Sequence, residues 1–267
     1  MIKDPVTLAH VNMYGVLGAL EDLCRFSPEA RKLAGTARPL TVGFKVKNGP
    51  AMGLRFEGGA CTVQEGEGPC DIRLPFGSHK KFNGLIDGTV TPLPSKGFTK
   101  IGFLTRNFVG LTKLLESCLR PEAEAMKDPA FFDAGTAITF FLVARTVVQI
   151  GNHDRIGRFS ASNLPDGTVV LAVAGNPPEG AARPSRENRA LEAAITVKDH
   201  GLSFSRIVPE RYHALMEFSS LSLARRLFDG QVNAIACIGQ GLITMEGNLG
   251  MLDNVNRILD RAALYLA

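Results

Sequence analysis

The pattern of apolar and polar positions along this chain repeats, so that the same order of predicted elements occurs twice. An alternating strand, a short helix that ends in Asp-Gly, a glycine-punctuated strand and an amphipathic helix follow one another in residues 71–119 and again in residues 213–266. Five positions match without a gap, and the pairs are Phe76 and Phe218, Ser78 and Ser220, Leu85 and Leu227, Asp87 and Asp229, and Gly88 and Gly230. The chain is therefore predicted to contain one structural unit in two copies.

Each copy is predicted to open with a helix that precedes several strands. Apolar residues at helical spacing predict a first helix that runs from Leu8 past Leu23 and stops at Gly35, and a second helix at 134–153. Short alternating runs separated by tight glycine turns are typical of an antiparallel meander. These strands are predicted at 39–47, 52–57, 60–64 and 71–76 in the first copy, and at 168–175, 190–198, 202–207 and 214–218 in the second.

The two copies differ chiefly at residues 176–188, which lie between two predicted strands of the second copy. This stretch contains Pro, Gly and Arg, a composition typical of a surface loop. A plain insertion is favoured over a lid that closes on a site.

The short helix of each copy is bounded by the same residue types. Ser78 and Ser220 are predicted N-caps, because a serine hydroxyl accepts a hydrogen bond from the first free amides of a helix. Gly88 and Gly230 are predicted to end these helices in the left-handed conformation. The aspartate before each glycine is interpreted as a turn residue.

The segment after this helix is predicted to differ between the copies. Residues 232–238 are almost continuously apolar and predict a strand. The first copy has Pro92 and Pro94 at the equivalent place, and because proline cannot donate to a ladder, that strand is predicted to be an edge, broken or shortened. Gly97 and Gly241 are matched as the turns that lead into a last strand and an amphipathic final helix.

Composition describes an ordinary globular protein. The 267 residues allow two units of about 130 residues, each large enough to bury a core. The net charge of +4 comes from well-mixed basic and acidic residues, which favours a solvated surface over contact with anionic headgroups or acidic partners. The chain is not expected to bind nucleic acid, because it has no basic stripe and few aromatic residues of the kind that stack on bases, with no Trp and only three Tyr.

The cysteines and the longest apolar segments indicate a cytoplasmic protein. The five cysteines are odd in number and scattered, as reduced core residues are. Residues 134–151 are long and apolar enough to be mistaken for a membrane span, but they contain Arg145 and are expected to form a buried helix. Residues 6–20 are expected to be a folded helix and not a signal peptide.

No catalytic, cofactor or metal motif is found, so we expect a protein that is not an enzyme. There is no nucleophile elbow, and Cys61 and Cys70 have the wrong spacing for a common zinc site. His153-Asp154 is the only adjacent titratable pair with a catalytic look, and its place at a helix end is the favoured explanation. The glycines near Gly239 fail the dinucleotide fingerprint, because position 244 is Thr.

This order of elements resembles the sterol carrier protein, or sterol-transfer, family. The match is best from Met216 to Leu259, where the capped helix, the apolar segment, the glycine turn and the closing helix follow in that family's order. The resemblance implies an α+β fold with two tandem domains, residues 1–130 and 131–267, the second matching best at 213–266. Each would be a mostly antiparallel five-stranded sheet covered by helices, and the first copy is interpreted as a filled, degenerate partner.

The family's domains enclose an apolar tunnel for lipids or fatty acyl groups and have no catalytic residues, which implies the same for this chain. Carried over by position, the tunnel of the second copy would be walled by Met216, Phe218, Leu227, Ala234, Ala236, Ile243, Met245, Leu252, Val255 and Leu259. In the first copy the corresponding residues are Phe76, Leu85, Ile101, Phe108, Leu111 and Leu115.

Two functions stay open at this point. The resemblance implies carriage of a lipid, a fatty acyl group or another hydrophobic small molecule, without a cofactor and with at most peripheral membrane contact. The alternative is a structural or protein-interaction module built on the same fold, because inward-facing apolar residues occur in any core. A homodimer is also left open.

Overall fold

The computed structural model describes residues 3–175 and 188–266, which form two compact units, residues 1–138 and 139–267. The boundary between these units falls inside a long helix, and the predicted domain boundary after residue 130 stays a prediction. The predicted loop at 176–188 lies, except for its last residue, outside the described residues.

Unit 1 combines a helical amino end with a four-stranded sheet. The first helical stretch changes type as it proceeds, with a π-helical segment at Val11–Val16 and a 3-10 turn at Leu17–Ala19. Its helices are α1 (Pro5–His10), α2 (Leu20–Phe26), α3 (Pro28–Ala34), α4 (His79–Ile86) and α5 (Val109–Leu119). Its strands are β1 (Leu40–Val46), β2 (Ala51–Glu57), β3 (Ala60–Glu65) and β4 (Ile72–Phe76).

Unit 2 contains a five-stranded sheet. The long helix that crosses the unit boundary is α6 (Pro129–His153), and it is followed by α7 (Arg155–Ser162), α8 (Leu221–Phe228), α9 (Ala234–Gly239) and α10 (Leu249–Leu266). The strands are β5 (Gly167–Ala174), β6 (Arg189–Lys198), β7 (Gly201–Ser205), β8 (Ala214–Phe218) and β9 (Ile243–Gly247).

The first four strands of each unit are arranged in the same order within their sheet. It is β3-β2-β1-β4 in unit 1 and β7-β6-β5-β8-β9 in unit 2. The first three strands of each unit form the predicted antiparallel meander, and the fourth then crosses over to pair parallel with the first. Both sheets are therefore mixed.

The short helices have the predicted boundaries. The hydroxyl of Ser78 accepts a hydrogen bond from the amide of Lys81 at 3.3 Å, and the hydroxyl of Ser220 accepts one from the amide of Leu223 at 3.2 Å. Both predicted N-caps are therefore confirmed. Gly88 and Gly230 have φ of 69° and 68°, and each follows its helix after one capping aspartate, which confirms both predicted stops.

The prediction of a strand at residues 232–238 was wrong, because this segment forms α9. Asn233 caps the helix by accepting from the amide of Ala236 at 3.0 Å, a signal that sequence reasoning passed over. A short apolar run without alternation fits a helix as well as a strand.

The prediction of five strands in unit 1 was also wrong, although the break at Pro92 and Pro94 was correct. Lys96 makes a single antiparallel bridge to Arg73, and no fifth strand forms in the described part of the unit. The reason is chain length: Lys96 follows Gly88 by eight positions, whereas Glu246 follows Gly230 by sixteen. Unit 1 therefore has no room for counterparts of α9 and β9.

The match of Gly97 with Gly241 must be replaced by a match with Gly247. Gly97 and Gly247 have φ of 87° and 85°, and each lies against the start of the fourth strand of its unit. A Cβ on Gly97 would overlap the carbonyl oxygen of Asp71, and one on Gly247 would overlap that of His213. Only glycine combines this φ with so close an approach.

Helix α6 is a buried helix, as predicted. It is the one helix of the described chain that is long and apolar enough to cross a membrane, and most of its apolar window is buried. A Cβ on Gly151 would lie 2.7 Å from Leu202 and 3.5 Å from Ile258, so α6, β7 and α10 meet at this glycine.

Candidate functional site

The predicted wall residues of the second copy converge on one face of the five-stranded sheet. Residues that are opposite one another in neighbouring strands project to the same side, and Met216 lies opposite both Leu171 and Met245. Phe218 likewise lies opposite Val173 and Ile243. We call this side the inner face, defined by Leu171, Val173, Met216, Phe218, Ile243 and Met245.

Helices cover the inner face near β8 and β9. Helix α8 packs on β5 and β8, and α10 packs on β8 and β9. The ring of Phe218 meets that of Phe228 edge to face, with centroids 6.0 Å apart. The buried side of α10 consists of Met251, Leu252, Val255, Ile258, Ala262 and Tyr265.

The structure brings most, but not all, of the ten predicted wall residues to this region. Met216, Phe218, Ile243, Leu252 and Val255 are buried, and Leu227, Met245 and Leu259 are half-buried. The other two, Ala234 and Ala236, lie on α9 and not on a strand of the sheet; Ala234 is half-buried and Ala236 is exposed.

The predicted wall did not include Ile258, although the apolar stripe predicted for the final helix did; Ile258 is fully buried, whereas the predicted wall residue Leu259 is half-buried. The period of α10 carried the signal, because Ile258 follows Val255 by three positions.

Three large apolar side chains stay exposed on the segments next to β9 in the chain. Ile235 is 75% exposed, Leu249 64% and Leu242 37%. They lie on α9, at the start of α10, and directly before β9, and α9 packs on β9. We call these three residues the apolar rim; in the chain they lie before and after β9, the strand that carries Ile243 and Met245 of the inner face.

In unit 1 the predicted wall is less complete. Phe76, Phe108, Leu111 and Leu115 are buried, but Leu85 is half-buried and Ile101 is exposed. An open depression of about 410 Å³ lies elsewhere in this unit, at the start of β1, and is lined by Thr36, Ala37, Arg38, Pro39, Leu40 and Lys100. None of these is a predicted wall residue.

An ion pair lies on the opposite, outer face of the unit 2 sheet. Arg189 Nε donates to Glu217 Oε1 at 2.8 Å, and both side chains are almost buried. Burial alone would lower the pKa of Arg189, but the hydrogen bonds of Arg189 with Tyr212 and Glu217 outweigh this effect, so that the pKa of Arg189 is raised overall. The pair anchors β6 to β8 on the side away from the predicted wall.

Arg145 is a buried cation on the inner-face side. Phe204 lies opposite Ile195, which in turn lies opposite Val169, so this ring belongs to the same side as Leu171. The guanidinium carbon of Arg145 lies 4.5 Å from the ring centroid of Phe204, a distance that permits cation–π attraction.

The pair His153-Asp154 has a structural explanation. The Asp154 carboxylate accepts from the amides of Ile156 and Gly157 at 2.9 Å, from Arg261 at 2.7 Å and from Tyr265 at 2.8 Å. Burial tends to raise the pKa of Asp154, but these hydrogen bonds lower it overall. Partial burial and the nearby Arg158 lower the pKa of His153. Asp154 therefore acts as the N-cap of α7 and its link to α10.

Potential metal ligands do not cluster in the part of the chain that the structure describes. No group of three or more His, Cys, Asp or Glu side chains is found in residues 3–175 and 188–266. The five cysteines, all within the described residues, are buried and none forms a disulfide; Cys61 and Cys70 both lie in unit 1.

The geometry thus defines an α+β protein with mixed sheets. No protein-family description and no curated protein matches the chain. It is similar to solved sterol carrier protein domains. The sterol carrier protein domain 2 of Helicoverpa armigera is 18% identical, with 47% of this chain and 88% of that chain covered and a TM-score of 0.35.

Two further structures give comparable values. A crystal structure of sterol carrier protein 2 is 13% identical, with 46% of this chain and 92% of that chain covered and a TM-score of 0.33. Sterol carrier protein 2 from Yarrowia lipolytica, in its apo form, is 14% identical, with 53% and 95% covered and a TM-score of 0.31. Each likeness covers about half of this chain and carries no information on a ligand.

Proposed function

We propose that unit 2 binds a lipid, a fatty acyl group or another hydrophobic small molecule against its inner face and does so without catalysis. The observation that carries this proposal is the apolar rim. Ile235, Leu242 and Leu249 are large apolar side chains that stay exposed within fifteen residues of one another. They lie on or next to α9, β9 and α10, and both helices pack on β9; exposed apolar residues on neighbouring elements are what an interaction or ligand site requires.

The half-buried wall residues support the same reading. Leu227, Met245 and Leu259 are neither sealed in the core nor fully in solvent, so part of the predicted wall still has apolar surface that a ligand could cover. An acyl chain placed there would remove this surface from water. Full burial of one Leu or Ile side chain contributes about 1.5–3 kcal/mol, so the remaining gain at Ile235 and Leu249 is roughly 1–2 kcal/mol each.

The shared strand order and the matched caps of the two units support two tandem domains of sterol-carrier type. Unit 2 is the proposed binding half, because it has the fifth strand and the rim. Unit 1 lacks the counterparts of α9 and β9, which is consistent with a structural partner.

The test combines co-purification with a matched pair of variants. Native mass spectrometry of the recombinant protein should detect bound acyl species, and a fluorescent fatty acid should bind and be displaced by unlabelled fatty acid. Ile235→Asp should weaken this binding about tenfold, which corresponds to about 1.4 kcal/mol. Leu93→Asp is the control, because Leu93 is exposed to a similar extent but lies in unit 1.

Three outcomes would count against the proposal. Absence of both co-purified lipid and fatty-acid binding would refute it. Equal weakening by Ile235→Asp and Leu93→Asp would show that the rim is not the site. If the rim instead captures a protein, and Ile235→Asp abolishes that capture, the protein-interaction module is the correct alternative.

A further inference from the structure

Helix α7 presents basic and apolar side chains together on its exposed side. Ile156 is 50% exposed and Phe159 67%, and Arg155 and Arg158 are exposed as well. The members of each pair are three positions apart, so they are neighbours on the helix surface. Two cations and two apolar groups therefore share one surface of a helix about 12 Å long.

The opposite side of α7 holds the helix close to the protein. It consists of Gly157, Ser160 and Ala161, which are buried. A Cβ on Gly157 would overlap the carbonyl oxygen of Ile150, so α7 lies directly against the last turns of α6. The cap at Asp154 fixes the start of the helix. The exposed surface is thus presented on a rigid base.

The charges on α7 are of one sign. The helix contains two arginines and no acidic residue. The carboxylate next to it, Asp154, is neutralised by Arg261 at 2.7 Å, so it does not cancel the positive charge of the exposed side. Arginine near an anionic lipid surface strengthens attachment, and Phe and Ile insert at the boundary between headgroups and acyl chains.

The size of the surface favours a bilayer over a folded protein partner. Specific protein interfaces engage about 20–30 residues on each side, whereas this surface consists of four side chains on one helix of eight residues. Insertion into headgroups needs no complementary shape. We propose that Arg155, Ile156, Arg158 and Phe159 form a docking surface for anionic phospholipid bilayers. This surface is distinct from the apolar rim, and its test is independent of ligand binding.

The first experiment measures vesicle binding by sedimentation. The full-length protein should bind phosphatidylcholine vesicles that contain about 30 mol% phosphatidylserine, and bind pure phosphatidylcholine vesicles much less. Arg155→Gln and Arg158→Gln should each lower the partition coefficient about fivefold. Arg226→Gln is the matched control, because Arg226 is an exposed arginine on α8, and it should leave binding unchanged.

The second experiment uses the absence of tryptophan from the chain. Phe159→Trp places a single indole in the proposed surface, and its emission should shift to the blue when the anionic vesicles are added. Phe98→Trp is the control, because Phe98 is exposed to a similar extent, 65%, but lies in unit 1. Its emission should not change.

The proposal fails if the wild-type protein does not bind the anionic vesicles, or if Phe98→Trp and Phe159→Trp respond alike. It also fails if binding is unaffected by Arg155→Gln and Arg158→Gln. Normal vesicle binding by Ile235→Asp, together with its weakened fatty-acid binding, would separate this surface from the ligand site.

Discussion

Replacement of Asp154 by alanine tests whether one carboxylate holds the helical layer of unit 2 together. Asp154 is buried, and so is Tyr265, while the Arg261 side chain is mostly buried. Asp154→Ala would leave the Arg261 guanidinium and the Tyr265 hydroxyl without this acceptor. It would also remove the acceptor for the first amides of α7. Three elements, α6, α7 and α10, lose their common connection at once.

The expected cost follows from these contacts. Loss of an N-cap costs about 1 kcal/mol, and removal of one partner from a buried ion pair costs about 3–5 kcal/mol. These contributions overlap, since a single carboxylate makes both, and Arg261 retains some access to water. We therefore expect a loss of about 3–4 kcal/mol, a large part of the 5–15 kcal/mol of a typical domain.

Urea unfolding followed by circular dichroism measures this loss, and hydrogen exchange of α7 and α10 amides localises it. Ser220→Ala is the matched control in the same unit, because Ser220 is an uncharged N-cap that accepts at 3.2 Å. Its expected cost is about 1 kcal/mol. If Asp154→Ala costs no more than Ser220→Ala, the buried ion pair contributes nothing and the reasoning is refuted.

The pH dependence has a definite sign. The pKa of Asp154 is lowered in the folded protein, where hydrogen bonds from Arg261, Gly157 and Tyr265 outweigh its burial. A lowered pKa stabilises the fold above the unfolded value, near 4, and this contribution is lost as the pH falls through the folded pKa. The stability difference between the wild type and Asp154→Asn should thus be constant above about pH 5 and shrink below about pH 4.

Two further predictions concern backbone and charge. Gly97→Ala and Gly247→Ala should each cost about 2–3 kcal/mol, because both combine a positive φ with overlap onto a backbone carbonyl. Gly88→Ala, which meets nothing within 4 Å, should cost only about 1 kcal/mol, and equal losses in urea unfolding would contradict this. Glu217→Ala should cost about 3 kcal/mol, the lower end of the range for a buried pair, because Arg189 loses the closer of its two carboxylates and keeps Glu192 at 3.5 Å. The double variant Arg189→Met/Glu217→Leu should recover most of that loss. A double variant as unstable as the single one in thermal unfolding would show that the charge is not the cause.

Much of the fold was predictable where local chemistry decides it. The alternation in residues 72–76 and the capping hydroxyls of Ser78 and Ser220 act within a few positions, so the sequence shows them directly. The crossover that makes β4 and β8 pair in parallel with β1 and β5 depends on packing between distant segments. That part was not visible from local pattern.

The burial of the candidate site residues on β8 and α10 could be predicted from the sequence, but the structure of the segment that forms α9, between these two elements, could not. Met216 and Phe218 alternate with polar or outward positions, and Leu252 and Val255 follow a helical period, so their burial could be derived. Ala234 and Ala236 were misplaced, because an apolar run of seven residues satisfies a strand and a helix equally well. The side-chain cap of Asn233 decides in favour of the helix.

The missing fifth strand of unit 1 determines how that sheet can meet other chains. Arg73 and Pro75 are two apart in β4, so their backbone nitrogens face the same way, and the amide of Arg73 already donates to the carbonyl of Lys96 at 3.2 Å. Pro75 has no amide hydrogen to offer. A strand edge whose backbone N–H groups are already hydrogen-bonded or missing is a poor template for a strand from a neighbouring molecule. Unit 1 thereby avoids edge-to-edge aggregation at β4, and it does so with one proline and one bridge instead of an additional strand.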